Sequence, residues 1–180
     1  MRNSCHLLLL LGCALPTLAV AQTPSAQAGP IVPSAGAVFP VAPDLPTPLD
    51  VDYRVAFDVS EGSGPERPST SLNTVARFLN MHGQAGVPRE NIVAAVVVHG
   101  SAVMDVLSAE AYHDRHGAVN PNATLLRELL AAGTRVIVCG QSAASRGVDG
   151  AEFMDGVETS LSAMTAFVVL QAEGYRVNPW

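Results

Sequence analysis

Two short runs decide what this chain can fold into. Ile92-Val-Ala-Ala-Val-Val-Val98 sets seven apolar side chains in a row, and Arg135-Val-Ile-Val-Cys139 sets four behind one arginine. Neither run has polar residues at alternate positions, so neither has a wet face. Runs this short and this rich in β-branched residues read as strands buried on both faces, which is the habit of parallel sheets. Pro88 and Gly100 bound the first, and Gly133 and Gly140 bound the second.

Parallel strands need crossovers, and the intervening patterns supply them. Val51, Tyr53, Val55, Phe57 and Val59 alternate with Asp52, Arg54, Ala56, Asp58 and Ser60, a period of two that predicts a strand with one half-polar face. Ser69 or Ser71 caps a helix whose apolar side is Leu72, Val75, Ala76 and Leu79, with Phe78 beside it and Gly83 as its stop. Between 102 and 117, Val103, Met104, Val106 and Leu107 read as buried, and Ser108 caps a short helix ending at Gly117. Asn120-Pro121 opens a further helix with Leu125, Leu126, Leu129 and Leu130 on one side. After the Cys139 strand come a polar connector from Val148 to Gly156 and a brief strand near Val157. A last helix has Leu161, Met164, Val168 and Gln171 on a shared face, joined by Phe167 and Leu170, before a short strand at Tyr175–Val177. The order predicts an α/β fold, a single three-layer α/β/α domain with a mostly parallel central sheet over residues 50–180.

The segments before residue 50 belong to other classes. Met1-Arg-Asn3, the apolar stretch from Leu7 to Leu18 and Ala19-Val-Ala21 form a secretory signal peptide, 1–21, cleaved after Ala21 and leading to a secreted or periplasmic protein. Leu10-Leu-Gly-Cys13 offers a lipidation box as a rival, with an unusually short apolar run before it. Pro16 interrupts the stretch, which is too short for a transmembrane segment. Residues 22–49 contain seven prolines and one charge, Asp44, and predict a Pro-rich disordered tether. Within it, Val38-Phe-Pro-Val41 is apolar enough to dock on the domain or on a partner.

Loss of residues 1–21 removes Arg2 alone among the charges, leaving 9 Arg against 16 Asp+Glu. A domain so acidic is a poor ligand for nucleic acid or anionic lipid. The chain has no lysine, which excludes a Schiff-base lysine and a P-loop lysine. Charged residues make up 14% of the chain against a usual quarter, which favours self-association.

Cleavage also removes Cys5 and Cys13, leaving Cys139 without an internal disulfide partner. In an oxidising compartment a single thiol is buried and inert, paired with another molecule, or reactive. Cys139 stands at the end of a strand, where open α/β sheets keep their sites. Gly140, Gln141 and Ser142 offer N–H groups to its sulfur if the chain turns there into a helix, and Arg146 offers positive charge or is a surface arginine at a helix end. His99 ends the other central strand on the same sheet edge, as a partner for the thiol or as a structural histidine. His113 and His116 lack an evident third ligand, so no metal and no cofactor is expected. Counting six from Cys139 reaches Ser145, not Arg146, which removes the Cys-x5-Arg anion loop, and Ser142 stands where Cys-x-x-Cys needs a second cysteine. Gly62-Ser-Gly64 follows the first strand, but Glu61, Pro65, Glu66 and Pro68 make it a poor phosphate cradle.

Over residues 51–177 the chain resembles the DsrE family of small sulfur-relay proteins. The likeness rests on Val96-Val-Val-His-Gly100, the leucine helix between Asn120 and Gly133, Val138-Cys-Gly-Gln-Ser-Ala-Ala-Ser-Arg-Gly-Val148, and Leu170-Gln-Ala-Glu-Gly-Tyr175. The resemblance implies an exported sulfur (persulfide) carrier or sulfurtransferase in which Cys139 holds the sulfur, as a homo-oligomer, trimer or hexamer. It leaves the sulfur donor and acceptor open. The alternative is a non-catalytic oligomeric α/β binding module with Cys139 buried and inert.

Overall fold

The computed structural model describes residues 24–178. Five strands make up its sheet: β1 (Tyr53–Val59), β2 (Ile92–Val98), β3 (Arg135–Cys139), β4 (Val157–Ser160) and β5 (Arg176–Asn178). All pairings are parallel and the order is β4-β3-β2-β1-β5. The two apolar runs are β2 and β3, and β2 pairs along its length with β1 and through Ala95–Val98 with β3. The helices are α1 (Thr70–Gln84), α2 (Ala109–His116), α3 (Ala123–Ala131), α4 (Gly140–Ser145) and α5 (Ala163–Ala172). The three-layer α/β/α arrangement expected from the sequence is the one found.

Handedness explains how the layers fill. From β1 to β4 the chain steps across the sheet in one direction, and right-handed crossovers then put every connecting helix on one face. That face holds the larger core, in which Leu72, Val75 and Leu79 of α1 and Leu125, Leu126 and Leu129 of α3 meet Val96, Val98 and Val136. Only the return from β4 to β5 runs the other way, so α5 alone covers the second face. Its core is small: Ala166, Leu170 and Tyr175 on Ala56, Ala95, Val97 and Ile137. The two faces differ by strand parity, since successive side chains point to opposite sides.

Two helices depart from their expected detail. Asn120 stands one turn short of α3: its Oδ1 accepts from the Asn122 N–H at 2.8 Å, its Nδ2 donates to the carbonyls of Asp105 and Leu107 at 3.0 and 2.9 Å, and α3 begins only after Asn122. In α5 and the turn before it, the expected face of Leu161, Met164, Val168 and Gln171 is the outer one: the first three are 71%, 77% and 67% exposed, while Ala166 and Leu170 are buried. The helix is apolar nearly all round, so periodicity gave no direction, and small Ala166 lets the helix lie close on the sheet.

Residues 27–38 of the Pro-rich stretch are held on the domain, where the sequence reading expects a disordered tether. Gln27 and Val38 form an antiparallel bridge, and Val32 is fully buried. The anchor is Asn80 of α1, itself fully buried. Its Oδ1 accepts from the N–H of Ile31 and Val32 at 3.1 and 2.8 Å. Its Nδ2 donates to the carbonyls of Val32, Ala35 and Gly36. Asn73 and Glu128 add bonds to Gly36 and Ser34. A segment with no ladder of its own thus has its backbone groups satisfied by side chains of α1 and α3. Gly36 is required there: its φ is +65°, and a Cβ would stand 2.3 Å from the Arg77 nitrogen. Of the apolar tetrad at 38–41, Val38 is buried, whereas Phe39 and Val41 remain exposed.

Removing the Asn80 amide leaves five backbone groups to find water. We expect Asn80→Ala to cost about 2–3 kcal/mol, with early protease cleavage between residues 27 and 38. Thermal melting and limited proteolysis check this; wild-type behaviour in both would refute the anchor.

Candidate functional site

The carboxyl edge of the sheet is where β3 stops. Cys139 is its last residue, pairs with Ser160 of β4, and turns directly into α4 with φ −68° and ψ 110°. The turn is tight because β4 ends alongside. A Cβ on Gly140 would lie 2.8 Å from the Ser160 carbonyl oxygen, so only glycine lets the chain leave β3 there. The bare Cα of Gly140 therefore faces β4 and serves packing rather than the approach of a second molecule.

Several dipoles converge on the sulfur. Cys139 is 6% exposed, and burial by itself pushes a thiol up. The Ser142 hydroxyl and the backbone N–H groups of Ser142, Ala163 and Gln141 oppose this and prevail, so the thiol lies below its ordinary range. Ser142 is prepared for that task. Its Oγ accepts from the Gly100 N–H at 3.1 Å, which leaves its own hydrogen for the sulfur. Ala163 is the first residue of α5, whose start is fixed by Ser162: its Oγ accepts from the Thr165 N–H at 3.1 Å. The first turns of α4 and α5 thus both supply N–H groups at the thiol, and a thiolate there is favoured by their positive ends.

The other sequence candidates are placed as follows. Gln141 contributes its N–H, and the residue is exposed. Arg146 folds back on α4, reaching the Ser142 carbonyl at 3.4 Å and the Ser145 hydroxyl at 3.3 Å, and is not among the groups that shift the thiol. His99 continues β2 by one residue, its N–H donating to the Val59 carbonyl at 2.9 Å. Since Val98 pairs with Val138, His99 comes level with Cys139 on the neighbouring strand. Its ring Nε2 lies 2.6 Å from Asp58 Oδ1. His116 stacks on Tyr112 with centroids 4.4 Å apart, and among the described residues no group of three His, Cys, Asp or Glu converges as a metal site.

Sequence reasoning missed Asp58, Ser162 and Ala163. Asp58 had a signal: an acid on the half-polar side of β1, at the end of a strand next to β2. It also missed a polar knot on the same edge. Asp105, 2% exposed, accepts from the Ser63 N–H at 3.1 and 3.0 Å and from the Ser63 hydroxyl at 3.0 Å. Asn122 donates to Ser63 Oγ at 3.1 Å and accepts from the Ser69 N–H at 2.7 Å. Burial raises the Asp105 carboxyl above its usual range against the pull of these donors. The knot ties down the glycine loop after β1, whose Gly62 and Ser63 N–H groups are taken by Ser101 and Asp105.

A depressed thiol has a readable consequence. Its thiolate persists below the ordinary thiol range, and the stability it contributes is present above the unfolded value and lost as pH falls through the folded one. We expect the midpoint of alkylation rate against pH to lie lower in the folded protein than in the denatured chain. Ser142→Ala moves that midpoint upward. Equal midpoints for folded and denatured protein would refute the dipole account.

No curated protein matches the chain. A solved protein of unknown function from Methanobacterium thermoautotrophicum, MTH1491, superposes with a TM-score of 0.50 at 21% identity, covering 72% of this chain and 100% of its own. The ychN protein of E. coli gives a TM-score of 0.49 at 17% identity, covering 71% of this chain and 99% of its own. The first likeness concerns the fold alone. The DsrE/DsrF-like family model matches residues 54–179, from the first strand through the last, and the chain belongs to that family.

Proposed function

We propose that the protein is an exported carrier of sulfane sulfur that holds its cargo as a persulfide on Cys139. The observation behind this reading is the thiol at the carboxyl end of β3, held below its ordinary range by N–H groups and the Ser142 hydroxyl. Membership of the DsrE/DsrF-like family supports it. A thiolate is the nucleophile that sulfur transfer needs. In loading, the Cys139 sulfur attacks the outer sulfur of a donor persulfide; the new S–S bond forms as the donor's breaks, and the donor departs as a thiolate. An acceptor thiolate unloads Cys139 by the same exchange. With residues 1–21 removed on export, Cys139 is the only cysteine left, so no internal disulfide competes.

The 6% exposure of Cys139 favours a second reading, an oligomeric α/β binding module in which the thiol is inert. Chemistry on the intact protein separates the two.

Export and self-association belong to the proposal. Residues 1–21 lie outside the described residues, and the case for export rests on their tripartite pattern. No helix among the described residues is long and apolar enough to cross a membrane. The outer side of α5 with the turn before it displays Leu161, Met164 and Val168, and α5 has no charged side chain. Apolar surface of this kind is covered in oligomers. By family resemblance the assembly is a trimer or a hexamer.

Intact mass reads the carrier and the export together. Protein from its native compartment is expected to begin at Gln22. After polysulfide treatment it gains one or more sulfur atoms, removable by reductant and absent from Cys139→Ser. A thiol that neither gains sulfur nor alkylates leaves the binding module. For the assembly, light scattering is expected to give an oligomer, and the double change Met164→Glu, Val168→Glu to give a monomer. A wild-type monomer at micromolar concentration counts against self-association.

A further inference from the structure

The pair formed by Asp58 and His99 is not used by the carrier chemistry as described above, and its position asks for a role. Asp58 Oδ1 and His99 Nε2 are 2.6 Å apart, with side chains 42% and 30% exposed. A partly exposed side-chain contact of this kind contributes little stability, roughly 0–1 kcal/mol. Its location is more informative. Ala56, Val97 and Ile137 share the α5 face of the sheet. Two residues further along each strand the pleat returns to that face, and the positions reached are Asp58, His99 and Cys139. They stand on three adjacent strands at one edge, with His99 between the other two.

Among the described residues the charged group bonded to the His99 ring is Asp58. α5, which covers this face, has no charged residue from Ala163 to Ala172. Arg146 of α4 is turned onto Ser142 and Ser145, and Arg135, at the far end of β3, is held by Glu158 and Glu173. Arg176 of β5 pairs with Val55, three residues before Asp58. His99 Nδ1 has no hydrogen-bond partner among the described residues. A carboxylate on Nε2 keeps that nitrogen protonated and leaves Nδ1 as the basic one.

We propose that Asp58 is a positioning residue, holding His99 so that its imidazole relays the proton released in sulfur loading. The inference rests on the carrier reading. In the step, Cys139-SH and a donor R–S–SH become Cys139-S–SH and R–SH. The Cys139 sulfur bonds to the donor's outer sulfur, and the donor S–S bond breaks with its electron pair on R–S⁻. His99 takes the Cys139 proton and returns it to R–S⁻, so nothing is oxidised or reduced overall. Such a relay matters most when the leaving thiolate is basic. The substrate class it suits is therefore the alkyl persulfide, rather than a donor whose thiolate leaves unaided.

Two reagents on the full mature chain test the relay. Glutathione persulfide has a basic alkyl leaving group, and an aromatic disulfide releasing nitrothiobenzoate has one that needs no proton. Initial rates at Cys139 are compared for wild type, Asp58→Asn, Asp58→Glu and His99→Gln. The ratio of the persulfide rate to the aromatic disulfide rate is expected to fall on the order of 10–100-fold in Asp58→Asn and His99→Gln, with partial recovery in Asp58→Glu. A ratio unchanged in both variants, whether the two rates fall together or neither falls, overturns the relay and leaves the carrier reading standing. A wild-type protein that reacts with the aromatic disulfide yet takes no sulfur from the persulfide refutes the carrier reading, and the relay with it.

Discussion

Parallel pairing of Ile92–Val98 with a strand on either side is the constraint from which the rest follows. A strand without one polar side chain must be covered above and below. Parallel neighbours align their carboxyl ends, so whatever closes those strands gathers on one edge. Here that brings Asp58, His99, Cys139 and Ser160 into adjacent strand ends from residues spread over more than half of the chain. The thiol's environment is a product of the same geometry. β4 delivers α5 beside α4, and the N–H groups of Gln141, Ser142 and Ala163 meet at one sulfur.

Uneven covering of the sheet is the second consequence. One face receives α1 and α3 and builds a large aliphatic core. The other depends on the single helix α5 and on small residues, Ala56, Ala95 and Ala166. A ten-residue helix cannot hide five strands, and its own outer side is apolar. The thinly covered face is also the face of Cys139, so any copy that covers α5 would lie close to the thiol.

The N-terminal segment follows a different logic. Residues 27–38 have too few apolar side chains to fold alone, and proline and glycine deny them a ladder. They are ordered because α1 presents a buried amide whose donor and acceptor groups match a bent backbone. A buried asparagine needs such partners as much as the segment needs the asparagine. The bond set spans close to fifty residues of sequence, a separation no local pattern reports.

The sequence by itself determined the fold class, the two central strands and the strand-end address of Cys139, because apolar runs and period-two alternation are local signatures of burial. It found Ser108 as a cap for the same reason and narrowed the cap of α1 to Ser69 or Ser71, of which Ser69 is used, since capping acts over three residues. The tertiary structure decided what depends on direction and distance. Apolar on nearly every side, α5 had no periodicity to say that Leu161, Met164 and Val168 point outward. The Asn120–Pro121 signal marks a turn ahead of the helix: Asn120 Oδ1 accepts from the Asn122 N–H, its Nδ2 donates to the Asp105 and Leu107 carbonyls, and α3 begins at Ala123. Arg146, near the thiol in sequence, is turned onto α4, whereas Ala163, twenty-four residues beyond Cys139, supplies an N–H to the sulfur. Spacing along the chain gives the face and the edge of a side chain; only packing sets which groups then come within reach of one another.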